Sequence, residues 1–262
     1  RLKTEICRDV GGNWLTRPTP RIKDLTFREL RSYDIGRADP TTDYARAHPD
    51  LLPVEGERIP LLSEVIAIAK MSKKPFTLFV ELKTSFTERA VSALPEELAE
   101  ATVAVLKGHD YLQHTVFVGF DWPGLLHVKK IAPGAECWFT TLDQRWFGEG
   151  EPPPESDPPA ESALAALRYW AKNGLSPWAG GFDAVNYGGS ILRAIKAAGG
   201  DGWFPTFTDA TDAAVAEART LGLKVGAWTV DEPADMRALI ARQLDAICTD
   251  RPDILHGLQG NR

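Results

Sequence analysis

An α/β fold on a parallel sheet is the architecture this sequence predicts, and three observations predict it. From about residue 60 onward, short apolar runs alternate with stretches whose apolar residues recur at helical spacing. Six of the runs read as strands, each near-continuously apolar, as strands covered on both faces are. Proline at helix starts and glycine at helix ends punctuate the series.

The elements follow in order. Ile59-Pro60, then Leu61, Leu62, Val65, Ile66 and Ile68, sets proline near the first turn of a helix with one apolar stripe. The run 76–83 is the first strand, ending Val80-Glu81-Leu82-Lys83. Pro95-Glu96-Glu97-Leu98 opens a helix to about residue 107, its two acids at the positive end of the dipole. A strand over 115–120 and a helix over 122–130 come next, the helix ended by Ile131-Ala132-Pro133. The strand 136–140 leads to 148–160, so rich in proline and glutamate that an exposed loop is expected, with an active-site lid as the alternative. Helices over 162–169 and 190–198 flank a turn at Gly180-Gly181, and Gly199 stops the second. Trp203-Phe204 is a short strand stopped by Pro205. A helix over 211–221, a strand over 223–230, a helix from Glu232 to about 242 and a strand over 245–250 close the series. After Asp250 only a short polar tail is expected.

Composition narrows the function classes. The 262 residues are 44% hydrophobic and 25% charged, as in an ordinary globular protein. A net charge of −6 argues against nucleic acid as a partner, since such proteins present a basic face. No apolar run approaches the ~18 residues of a membrane span. Cys7, Cys137 and Cys248 are too few and scattered for a zinc site or a disulfide framework. Cys137 and Cys248 sit in apolar runs, so buried, inert thiols are expected there.

Alternation along the first strand puts Glu81 and Lys83 on one face and Leu82 on the other. The pair lies at the strand's carboxyl end, where parallel α/β sheets keep their ligand sites. A carboxylate there can hold a divalent cation and an ammonium can neutralise a phosphate; the bland reading is a surface ion pair. Six strands suit a doubly wound sheet, whereas a (β/α)₈ barrel needs eight. On the barrel reading two strand units are missing, and they would precede Arg1.

Five segments, in order, resemble the glycerophosphodiester phosphodiesterase family. They are Asp24-Leu25-Thr26-Phe27-Arg28-Glu29-Leu30, Ile59-Pro60-Leu61-Leu62-Ser63-Glu64-Val65, Val80-Glu81-Leu82-Lys83, Trp228-Thr229-Val230-Asp231 and Ile247-Cys248-Thr249-Asp250-Arg251-Pro252. The resemblance implies a TIM-type barrel over residues 1–262 as one partial domain, with its first two strand units absent. It implies metal-dependent hydrolysis of a small-molecule glycerophosphodiester to sn-glycerol 3-phosphate and an alcohol, with Mg²⁺ or Ca²⁺ as the metal. Glu81 would be a metal ligand, Lys83 a catalytic phosphate contact, and Phe120 and Trp228 substrate contacts. Gly119 stands where the family usually has serine. The family's catalytic histidines have no counterpart in context among His48, His109, His114, His127 and His256, so surface or structural roles are expected for all five. The chain by itself is accordingly expected to be inactive and poorly soluble, with open sheet edges at Leu78 and Ala246. The competing expectations are a non-catalytic barrel that binds phosphate-bearing ligands, and another metal-dependent barrel enzyme such as an aldolase. Asp250, at the end of the last strand, is expected to cap the following turn.

Overall fold

The computed structural model describes residues 2–18, 20–74, 76–154 and 156–259. The chain forms two units, residues 1–76 with 88–94, and residues 77–87 with 95–262.

Among its described residues the first unit is mostly irregular backbone around three α-helices, α1 (Phe27–Leu30), α2 (Asp43–Ala47) and α3 (Leu62–Lys70). Two of the family-like segments are helix starts. Thr26 and Glu29 close a capping box on α1, the Thr26 N–H donating to the Glu29 carboxylate at 2.7 Å. The Leu61 N–H donates to Glu64 at 2.7 Å at the start of α3. These carboxylates occupy N–H groups that helix ends otherwise leave open. Buried Asp34 ties the irregular parts together, accepting from the N–H groups of Gly36 and Gly56 and from Arg8.

The second unit carries one parallel sheet. Its strands are β1 (Leu78–Glu81), β2 (Thr115–Gly119), β3 (Glu136–Thr140), β4 (Gly202–Phe204), β5 (Lys224–Ala227) and β6 (Ala246–Ile247), and all six predicted strands are present. They lie in chain order, each hydrogen-bonded to the next. A doubly wound sheet reverses its strand order at a switch point. This one never does, so its order is that of a barrel wall. The eight-stranded closure does not appear: among the described residues β1 and β6 each have one strand neighbour.

The sheet curls. Phe79 on β1 and Phe204 on β4 have ring centroids 5.8 Å apart, where three flat strand spacings would separate them by about 14 Å. Val116, Val118, Trp138 and Phe204 fill the concave face, with Trp228 and Ala246 packed against them. Gly202 and Gly226 make the room. A Cβ on Gly202 would stand 2.6 Å from the Trp138 ring, and one on Gly226 would stand 2.7 Å from that of Phe204. On the convex face the buried side chains of α4 (Pro95–Gly108) and α5 (Trp122–Ile131), among them Leu106, Leu125 and Val128, cover Leu82 and Phe139.

The remaining helices are α6 (Glu161–Asn173), α7 (Ile191–Ala197), α8 (Asp212–Thr220), α9 (Pro233–Ala241) and α10 (Pro252–Gln259). The last corrects the expected polar tail. Pro252 fits a first helical turn, and Ile254, Leu255 and Leu258 share one face. The described residues of 148–160 form no helix or strand, as expected, yet they are anchored. Ser156 is buried and accepts from Trp146 Nε1 at 3.1 Å, and Arg168 donates to the carbonyls of Trp146 and Gly150.

The glycine–aromatic fit makes Gly226→Ala an overpacking substitution with rigid rings as its neighbours. It should lower stability by about 1–3 kcal/mol in urea denaturation. Alanine at exposed Gly134, whose Cβ would meet nothing within 4 Å, should leave the midpoint nearly unchanged.

Candidate functional site

The carboxyl ends of the strands bring the predicted residues together in two pairs. Leu82 is 1% exposed and its N–H donates to the Val118 carbonyl at 2.8 Å, so pairing runs one residue past β1. That fixes the alternation: Glu81 and Lys83 share the other face, and Lys83 Nζ stands 3.1 Å from Glu81 Oε2. The Lys83 side chain is 78% exposed and that of Glu81 32%. An ion pair so open to water adds little stability. Its worth lies in where it holds the ammonium.

Phe120 and Trp228, each just beyond the end of a strand, form the second pair. Their rings meet edge-on at 5.4 Å although β2 and β5 are not neighbours, so the curl of the sheet makes the contact. Trp228 Nε1 donates to the Phe204 carbonyl at 3.0 Å, which fixes the indole. Among the described residues no hydrogen bond, ion pair or ring contact joins this pair to Glu81 and Lys83.

Thr84 and Asp121 are site neighbours that sequence reasoning missed. Thr84 Oγ1 donates to Asp121 Oδ2 at 2.5 Å, and Asp121 is 1% exposed. The bond stitches the loop after β1 to the loop after β2. The one signal in the sequence, an aspartate before Trp122-Pro123, points to a helix cap, and Asp121 makes no side-chain cap bond.

Three more groups of this unit have altered chemistry. Cys248 is exposed rather than buried, because β6 has no second strand neighbour among the described residues to cover it. Partial desolvation first, then the charges of Asp250, Asp231 and Glu81, hold its thiol above the ordinary range. Cys137 fulfils the buried expectation, and burial pushes its thiol to about 12. Asp209, after β4, is pushed up to about 6 by burial, with Asp143 adding to the rise and the Gln144 N–H, at 2.9 Å, opposing it. At the end of β6, Asp231 accepts from the Asp250 N–H at 2.8 Å and from Thr249 Oγ1 at 3.0 Å. Thr249 in turn accepts from the Arg251 N–H, so Thr249 makes the turn contact expected of Asp250.

Among the described residues the hydrogen-bond and ring contacts of the histidines go to other partners than these two pairs. His48 stacks on Tyr44, His127 meets Glu100 at 2.9 Å, His114 packs on Tyr111, and His109 and His256 are exposed. Among the described residues no three His, Cys, Asp or Glu side chains converge as a metal site. A hard divalent cation takes oxygen ligands. Glu81 offers that chemistry, but as a single carboxylate already facing an ammonium.

Two outcomes follow. Under native conditions a disulfide reagent should titrate one thiol, Cys248, more slowly than a free cysteine reacts, and all three only after unfolding. For Asp209 the folded value, about 6, lies above the unfolded one, so the folded state binds the extra proton between ~4 and ~6 and stability falls as pH rises through that window. Asp209→Asn should flatten this fall in denaturation midpoints measured across the window.

Residues 178–254 match the sequence model of the glycerophosphoryl diester phosphodiesterase family. No curated protein matches the chain in sequence. Among solved structures, a protein of Silicibacter pomeroyi DSS-3 assigned by name to the glycerophosphoryl diester phosphodiesterases is 28% identical, with a TM-score of 0.74 over 97% of this chain and 74% of that one. An Oleispira antarctica phosphodiesterase, solved with the product sn-glycerol-3-phosphate, is 18% identical, with a TM-score of 0.57 over 90% of this chain and 71% of its own. A glycerophosphodiester phosphodiesterase of Parabacteroides distasonis is 17% identical, with a TM-score of 0.53 over 83% of this chain and 71% of its own. The latter two speak for the fold. The matched segment and the ordered strands together make this chain similar to the glycerophosphoryl diester phosphodiesterase family.

Proposed function

We propose that the protein hydrolyses glycerophosphodiesters to sn-glycerol 3-phosphate and an alcohol, with Lys83 against the phosphate and Glu81 as one ligand of a divalent cation, Mg²⁺ or Ca²⁺. The observation that carries this reading is the 3.1 Å pairing of Glu81 and Lys83 on one face at the carboxyl end of β1. In a family of phosphodiesterases that is the place for a ligand site.

Hydrolysis breaks the bond between phosphorus and the alcohol oxygen; water supplies the new oxygen on phosphorus, and the alcohol leaves with a proton. Negative charge grows on the phosphoryl oxygens in the transition state. The Lys83 ammonium offsets it, and the exposure of that side chain leaves it free to turn from Glu81 toward a phosphate. Glu81 keeps the ammonium at the strand end and presents carboxylate oxygens of the type that a hard cation prefers. Such a cation supplies further charge neutralisation. The rings of Phe120 and Trp228 form an apolar wall for the carbon skeleton of the diester.

Release of sn-glycerol 3-phosphate from glycerophosphocholine by the full-length protein, in which any further strands complete the barrel, is the test. Glu81→Ala should lower kcat/KM by about 10²–10³, a chelator should do the same, and circular dichroism should stay unchanged. Unaltered turnover by Glu81→Ala would remove Glu81 from the site. Binding of sn-glycerol 3-phosphate with no turnover of any diester would support the non-catalytic reading instead.

A further inference from the structure

We propose that a cavity within the connection between β3 and β4 binds a small quaternary ammonium group. The cavity measures about 150 Å³, a size that in an apolar protein interior admits a benzene-sized molecule. Trp122, Phe147, Trp178 and Phe182 give it aromatic walls, and Asp183 lines it as the one charged side chain.

The rings are held in place before any ligand arrives. Trp178 meets Phe86 at 5.5 Å, Phe147 at 6.0 Å and Trp170 at 6.2 Å. Phe182 stacks on Tyr187 at 6.2 Å, and Trp122 Nε1 is spent on the Thr140 carbonyl. Asp183 is 4% exposed, and one of its oxygens accepts from the Ser176 N–H at 3.0 Å. Among the described residues no second hydrogen bond reaches this carboxylate.

A buried carboxylate with one open oxygen among aromatic rings selects its ligand by charge. An anion would be repelled, and a neutral apolar guest would leave the charge unpaired. A hard metal ion needs a shell of oxygens that these walls lack. An alkylated ammonium meets both demands, since the rings attract its diffuse charge, the carboxylate neutralises it, and it needs no hydrogen-bond acceptors.

The inference stands apart from the hydrolytic reading, and binding alone tests it. Choline chloride titrated into the protein should change tryptophan fluorescence saturably and raise the melting temperature. The neutral isostere with a tert-butyl group in place of trimethylammonium should bind at least about tenfold more weakly. Asp183→Asn should weaken choline by about tenfold or more. Ala171→Leu, which fills the cavity from α6 and keeps the Ser176–Asp183 bond, should abolish binding. If Asp183→Asn fails to fold, Ala171→Leu decides. Equal binding of the isostere, choline affinity unchanged in the folded variants, or no choline binding at all would overturn the proposal. A glycerophosphocholine titration separates the sources. Tighter binding than choline means the ammonium arrives on a diester, and equal or weaker binding means a free cation; either upholds the site.

Discussion

The contact between two glycines and two large aromatic rings on the concave face governs the sheet of the second unit. Trp138 and Phe204 can lie flat inside the curl only because Gly202 and Gly226 carry no Cβ. Given that space, the rings bury themselves against Val116 and Val118 and draw β4 toward β1, as the Phe79–Phe204 contact records. The curl then determines which strand ends meet. Phe120 reaches Trp228 across β3 and β4, and the carboxylates of Glu81, Asp231 and Asp250 all act on the thiol of Cys248.

Chemistry and support divide between the two faces. The convex face is covered over β2 and β3 by α5, which packs on α4, and at β4 the buried Trp203 Nε1 donates to Thr141 at 3.1 Å. The concave face keeps its charged groups at the strand ends, where water reaches them. The meeting of the connections after β3 and β4 adds a third environment. Asp209, beside the backbone of Gln144, experiences burial as a cost to its charge, whereas Glu81 stays within reach of solvent.

Much of this was legible in the sequence. The strands announced themselves because parallel strands covered on both faces are apolar runs. The helices did so through Pro95, Pro233 and the glycines after α7 and α8. The shared face of Glu81 and Lys83 followed from the period of a strand. Illegible were features that depend on which neighbour a residue acquires. Cys248 sits in an apolar run yet is exposed, because exposure on an edge strand is set by a missing partner and not by local composition. Thr84 and Asp121 are far apart in the chain and carry no spacing that pairs them. Trp178 and Asp183 looked like parts of a glycine-rich turn, and only the packing of Phe86 and Phe147 gives them a cavity to line.

The bond from Thr84 to buried Asp121 has a consequence for any ligand that Lys83 meets. A backbone segment free to wander would lose conformational entropy when a phosphate ordered it, at about 1–2 kcal/mol per residue fixed. Here the residue after Lys83 is already moored to the head of α5. Folding has therefore met most of the ordering cost in advance, and what remains to be immobilised is the lysine side chain. The loop is pre-organised, and recognition at this strand end begins from a backbone that has nowhere else to go.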